Sequence, residues 1–188
     1  MIVSAPGANS LGSDMVSGKQ AQTMAEEAAR VAMIRRLGIP TEASEFFDEF
    51  ATHMAEATGF LYGMVNLFLA EQTFIGLHNP PAGSGHLVVG RTMSRDHGWC
   101  PEVVQRRKAL PLHNVHASPR FSGNHVVDAV GIQAYFGAPL IHEDIAVGTV
   151  CVIDPDPRPL SDARRLRDIV VDSGGAVMRA VTVNARRS

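Results

Sequence analysis

Apolar positions recur with a helical period in some parts of this chain and with a period of two in others. Ala43, Phe46, Phe47, Phe50, Met54 and Ala57 fall on one helical face, and Gly59 ends the run. Thr41 is placed to cap this helix, with Glu42 and Glu45 in the first turn, where the helix dipole favours acids. Such a one-sided helix covers a sheet. Upstream, Thr23 and Glu26 fit a capping box, and Met24, Ala28, Val31 and Ile34 give a partial stripe that Gly38 and Pro40 stop. This first helix, over 20–38, stands ahead of the main domain over 39–184, and its apolar face calls for a second subunit. Residues 1–19, rich in Ser, Gly and Ala, read as a disordered or tag-like start.

Strands are predicted over 61–69 and 73–77, joined at Ala70-Glu71-Gln72, over 110–115, and over 133–141 and 146–153, joined at His142-Glu143-Asp144. Between them lie a Pro- and Gly-rich loop over 78–90, a short helix near Pro101, and loop or short helix over 118–130. The Pro-rich turn at 154–159 cannot join a sheet ladder. Ser161 then caps a last helix with Leu166, Ile169, Val170, Val177 and Val181 inward, and its Gly174-Gly175 pair suggests a close helix–helix crossing. The order predicts an α+β fold: a central antiparallel sheet of five or six strands, helices on one face and long loops on the other. The loop face is where a pocket forms.

Charge narrows the partners. A net charge of −2 with 19% charged residues gives no field that draws nucleic acid or an anionic membrane. The arginines at 106–107, 164–167 and 186–187 have no interleaved aromatics and read as solvated helix faces. No apolar run approaches a membrane span, and the start lacks the basic and apolar regions of a signal peptide, so a cytoplasmic protein is expected.

Few residues suggest chemistry. Cys100 and Cys151 make neither a disulfide framework nor a zinc motif, and reduced thiols are expected. Cys151 lies mid-strand, facing opposite to Val150 and Val152, as a small buried hydrophobe. Cys100 follows a polar loop whose Arg95 and His97 would favour a thiolate. His113 and His116 fall on opposite faces of a strand, and His78, His86, His97 and His125 lie in loops, so no metal site is expected. Asp154 shapes the turn that follows it.

Four blocks carry a resemblance. Arg95-Asp96-His97-Gly98-Trp99-Cys100, Ser118-Pro119-Arg120-Phe121, Tyr135-Phe136-Gly137-Ala138-Pro139-Leu140 and Gly148-Thr149-Val150-Cys151-Val152-Ile153-Asp154 occur in that order. They resemble the Arg-x-x-Ser-Phe-Cys, Asp-Pro-Arg-Phe, Tyr-Ala-Gly-Ala-Pro-Leu and Gly-Thr-Leu-Cys-Val-Ile-Asp blocks of GAF domains. The resemblance covers about Pro40 to Val181. It implies a small-molecule-sensing regulatory domain that signals as a homodimer or through a separate partner protein, with no catalytic residue and no nucleic acid or membrane bound. Neither the ligand nor a cofactor is identified. Candidate ligand contacts are His97, Trp99, Cys100, Asn114, Arg120, Gln133 and Tyr135. Gly98, Asn114, Ser118 and Gln133 each replace a charge or hydroxyl common in the family, which argues against an anionic ligand such as a cyclic nucleotide. Pro101 after Cys100 departs from the Cys-His of bilin-binding relatives. One alternative is a thiol redox enzyme or sensor using Cys100, similar to free methionine sulfoxide reductases; another is an interaction module without a ligand.

Overall fold

The computed structural model describes residues 10–187, with side chains from Lys19 onward. Six strands form one sheet in the order β3-β2-β1-β6-β5-β4: β1 (Tyr62–Phe68), β2 (Gln72–His78), β3 (Thr92–Met93), β4 (Leu110–Leu112), β5 (Ala134–His142) and β6 (Ile145–Asp154). Every pairing is antiparallel. All seven residues of β1 are buried, and nine of ten in β6, so the two central strands have no solvent face. The β5–β6 hairpin turns through Glu143 and Asp144, both at positive φ.

The long helices α1 (Ser10–Arg36), α2 (Glu45–Thr58) and α6 (Ala163–Ala185) cover one face. Their Met33, Ile34, Phe47, Met54, Leu166, Val170 and Val177 share a core with Val65, Leu67, Phe136 and Val150 of the sheet. The other face is covered by loops and by the short helices α3 (Cys100–Arg106), α4 (Pro119–Ser122) and α5 (His125–Val130). There Trp99, Val103, Val115, Val126 and Ile132 pack on Met64, Phe74, Tyr135 and Cys151. The α+β sandwich of helices, sheet and loops is the architecture expected from the pattern.

Several boundaries differ from the sequence reading. Among the described residues the first helix already runs from Ser10; residues 1–9 of the expected irregular start lie outside them. Thr23 is therefore mid-helix, its hydroxyl donating to the Lys19 carbonyl rather than capping. The last turns of α1 dock on the chain's own sheet, where the Arg30 Nε–H donates to the Ala146 carbonyl at 2.8 Å, while Met24 is left 70% exposed. Helix α2 starts at Glu45 because the Ser44 N–H is drawn to the Ile75 carbonyl of β2, which overrides Thr41 as a cap. That start turns Phe46 outward. The strand expected over 110–115 stops at Leu112, since Asn114 caps a 3₁₀ turn at Val115–Ala117. Ser161 lies in the 3₁₀ turn Leu160–Asp162, one turn ahead of α6. Gly174 serves helix–sheet rather than helix–helix contact: a Cβ there would meet Val150 Cγ2 at 3.2 Å.

Candidate functional site

The loop-side face of the sheet carries polar side chains where an ordinary core would be apolar. Asn66 of β1, Gln72 of β2 and Thr149 of β6 are each fully buried. Asn66 and Thr149 are cross-strand partners. The Asn66 amide donates to Gln72 Oε1 at 2.9 Å, and the Gln72 amide donates to the carbonyls of Ser94 and His97 at 2.8 and 2.7 Å. Among the described residues Asn66 Oδ1 and Thr149 Oγ1 make no hydrogen bond, although the Thr149 hydroxyl lies close enough to the Cys100 sulfur to favour its thiolate. A buried orphan of this kind costs about 1–3 kcal/mol.

Beside this trio lie both cysteines. Cys100 opens α3 two residues after Gly98, whose φ of 73° turns the chain inward. It is buried, with its Sγ 3.2 Å from the Tyr135 hydroxyl and 3.7 Å from Cys151 Sγ. Cys151 faces this layer, as its alternation with Val150 and Val152 requires, and also touches Met64 Sδ at 3.7 Å. The Tyr135 ring lies along its strand over Gly137, where any Cβ would meet the hydroxyl; that glycine makes room for the Tyr135–Cys100 contact.

The Cys100 thiol is lowered to about 7, chiefly because the Cys151 thiol donates to its sulfur, against the opposing effect of burial and with further help from Thr149, Tyr135 and Asn66. Cys151 is pushed well up, as the donor in that pair and by burial. Burial raises the Tyr135 phenol too. Arg95 and His97, the groups expected to activate Cys100, do something else. Arg95 pairs with Glu27 of α1 at 2.8 Å, and the His97 ring stacks on His125 with centroids 4.2 Å apart. Thiolate absorbance should therefore rise with a midpoint near pH 7, and Cys151→Ala should move that midpoint upward by removing the donor. An unmoved midpoint would mean that Cys151 does not set it. The sign for stability follows: with a folded value near 7 against an ordinary 9, the unfolded chain holds this proton more tightly between those limits. The Cys100 contribution is complete above that window and lost as pH falls through 7; the raised Cys151 works oppositely, losing its contribution above 9.

Of the seven residues singled out in the sequence, the fold brings Trp99, Cys100 and Tyr135 together. Trp99 is buried with its ring 5.3 Å from that of Tyr135 and its indole N–H on the Phe121 carbonyl. His97 contributes its carbonyl to Gln72. The other three lie elsewhere. Asn114 caps its own 3₁₀ turn, and Arg120 lies exposed on the surface, paired with Glu102. Gln133 uses its backbone to join Asp154 and Val115. Sequence reasoning placed Gln72 in the turn, whereas it opens β2, and gave no role to Asn66 and Thr149. Their signal was a polar residue at an inward position of an apolar strand. Among the described residues no three His, Cys, Asp or Glu side chains gather as metal ligands.

The loop 94–98 ties the site to its surroundings. It is held inward by Gln72, sideways by Asn124, whose side chain takes both the N–H and the carbonyl of Gly98, and outward to α1 by Arg95–Glu27. Outside this loop runs a cleft of about 1100 Å³ between α1 and the body, lined among others by Glu27, Arg30, Phe68, Ser94, Arg95 and Pro101. Among the described residues no helix is long and apolar enough to cross a membrane.

Comparison with known proteins places this geometry. None of the curated proteins matches the chain. Solved structures do. The GAF domain of an Acinetobacter phosphoenolpyruvate-protein phosphotransferase is 14% identical with a TM-score of 0.55, covering 86% of this chain and 95% of that one. The free methionine-R-sulfoxide reductase of Neisseria meningitidis, in complex with its substrate, is 14% identical with a TM-score of 0.54, covering 79% and 84%. The blue-light absorbing form of the Thermosynechococcus elongatus PixJ GAF domain is 12% identical with a TM-score of 0.53, covering 81% and 90%. At these identities the likeness is one of fold. The GAF domain family model matches residues 42–171, well over half of the sequence, and the chain belongs to the GAF domain family.

Proposed function

We propose that this domain is a small-molecule sensor whose input site is the buried polar layer around Asn66, Gln72 and Thr149, and whose output is α1. The observation that carries this reading is the pair of orphaned atoms, Asn66 Oδ1 and Thr149 Oγ1, in a layer otherwise filled by apolar side chains. A ligand with a donor and an acceptor at its tip satisfies both, entering from the α1 cleft past Ser94 and Pro101. The same Gln72 that meets Asn66 holds the loop 94–98, and Arg95 of that loop holds Glu27 of α1. Binding that rearranges the trio thus changes the anchorage of α1, provided the ligand prefers one arrangement over the other. The outer half of α1, with Met24 exposed beside the cleft, is the surface for a second copy of the chain. Similar folds include a blue-light absorbing GAF domain and a reductase held with its substrate. The orphaned polar pair favours the sensing role.

Thr149→Val tests it. Replacing this buried hydroxyl by a methyl of the same shape should stabilise the bare protein by about 1 kcal/mol below pH 7, where Cys100 is protonated and the hydroxyl makes no hydrogen bond. It should also abolish the thermal shift given by whichever member of a metabolite panel stabilises the wild type. Native mass spectrometry should find twice the 20.2 kDa chain mass, with the non-covalent adduct in the wild type and not in the variant. A variant that keeps the ligand-induced shift would remove Thr149 from the site, and a monomer would overturn the role of α1.

A further inference from the structure

Two thiols in contact, buried beside two polar atoms without partners, are more than packing requires. We infer that Cys100 and Cys151 form a peroxide-sensitive dithiol that closes reversibly into an intramolecular disulfide. This goes beyond the sensing of a bound ligand and needs none.

The pair is poised in geometry and in charge. The sulfurs are 3.7 Å apart and must approach to about 2.05 Å, a closure that a small shift of the first turn of α3 supplies. Cys151 sits at the middle of the central strand β6, between Met64 and Gly137, and is the fixed partner. Cys100, at the start of a seven-residue helix entered through a loop, is the one that moves. Cys100 is also the nucleophile: Cys151 and Tyr135 both contact its sulfur and favour its thiolate.

The chemistry balances with a hydroperoxide as oxidant. The Cys100 thiolate attacks one peroxide oxygen; the O–O bond breaks, the other oxygen leaves with a proton as water or alcohol, and Cys100 becomes a sulfenic acid. Cys151 then attacks the Cys100 sulfur, the S–O bond breaks, and hydroxide leaves as water with the Cys151 proton. Two thiols lose two electrons and two protons, and the peroxide gains them. The Thr149 hydroxyl beside the Cys100 sulfur would donate to the peroxide, and the unpartnered Oδ1 of Asn66, its cross-strand neighbour, would accept the peroxide O–H. Entry requires the loop 94–98 to open. Gln72 and Asn124 are its latches, and local opening of such a segment admits a molecule as small as hydrogen peroxide. Closure of the disulfide draws Trp99 and the loop toward the sheet and so pulls on Arg95–Glu27.

The test treats the reduced 188-residue chain with hydrogen peroxide at neutral pH, then alkylates under denaturing conditions and measures intact mass. The expected product has lost two hydrogens, takes up no alkylating agent, yields a linked peptide containing both cysteines, and reverts with dithiothreitol. Trp99, the single tryptophan, adjoins Cys100, so its fluorescence should change with the same time course. Cys151→Ser should stop at a sulfenic acid that dimedone captures on Cys100, with no intramolecular disulfide formed. Cys100→Ser, or Cys100→Ala should the serine misfold, should leave Cys151 unoxidised. Two thiols still free after exposure, chains cross-linked to one another, or sulfinic acid accumulating on both cysteines of the wild type would each overturn the proposal. The sensor reading fails separately, since loss of the ligand-induced shift in Thr149→Val is read with both thiols reduced.

Discussion

Replacing Asp154 with alanine is expected to cost the domain about 3 kcal/mol, because it removes the shared acceptor of three part-buried hydrogen bonds. The carboxylate is 3% exposed and accepts the Leu61 N–H at 3.0 Å, the Asp156 N–H at 2.9 Å and Arg158 Nη2 at 2.9 Å. Arg158 also donates to the Gly59 carbonyl and lies over the Phe60 ring at 4.2 Å. One side chain therefore joins the entry of β1, the exit of β6 and the proline-rich turn before α6. Asp154→Asn keeps an acceptor but loses the charge, and should cost about half as much. Urea unfolding followed by circular dichroism measures both. An alanine variant within experimental error of wild type would mean that water replaces the carboxylate freely, which its burial forbids. The effect reaches the candidate site because Ala134 pairs with Asp154 and Tyr135 with Ile153; fraying that end loosens the strand on which Tyr135 meets Cys100.

Asp154 was legible in the sequence as a turn-shaping residue, because an Asp ahead of Pro-Asp-Pro acts locally. What acted locally was generally legible. The β5–β6 hairpin follows from two alternating runs around an acidic turn, and the end of α2 at Gly59 from a single αL glycine. Tertiary ties were not. Thr41 is a good cap, yet a hydrogen bond from Ser44 to Ile75 and the Asp48 carboxylate, shared between the Leu77 N–H and Arg91, decide where α2 begins. The candidate site shows the same limit. A period of two put Cys151 on the right face, but only the docking of α3 brings Cys100, 51 positions away in sequence, against it. Asn66 was hidden for another reason. Its strand is buried on both faces, so polar and apolar residues do not alternate there, and an inward Asn reads as one polar residue in an apolar run.

The second large effect is expected on the opposite face. Gly76→Ala should destabilise the domain by about 3 kcal/mol, since a Cβ there would lie 2.3 Å from the Phe47 carbonyl oxygen, and the backbone of a packed helix cannot step aside as a side chain does. The register between β1 and β2 shifts by one residue after Val65, so Ile75 and Gly76 both fall against α2. Gly63 provides the same clearance under Ala51, also at 2.3 Å, and the two glycines together seat α2 close to the sheet. Gly174→Ala is the control. Its Cβ would meet only the tip of Val150 at 3.2 Å, and alanine gains about 1 kcal/mol of helix propensity over glycine, so little net change is expected. Thermal unfolding should therefore separate the two variants clearly. Equal melting temperatures would mean that α2 does not ride on Gly76. A further consequence ties this to function. Phe47 and Ala51 of α2 press on the back of the sheet whose front carries Asn66 and Gln72, so a lifted α2 should also shift the pH midpoint of the Cys100 thiolate. A destabilised Gly76→Ala with an unchanged midpoint would show that the two faces respond independently.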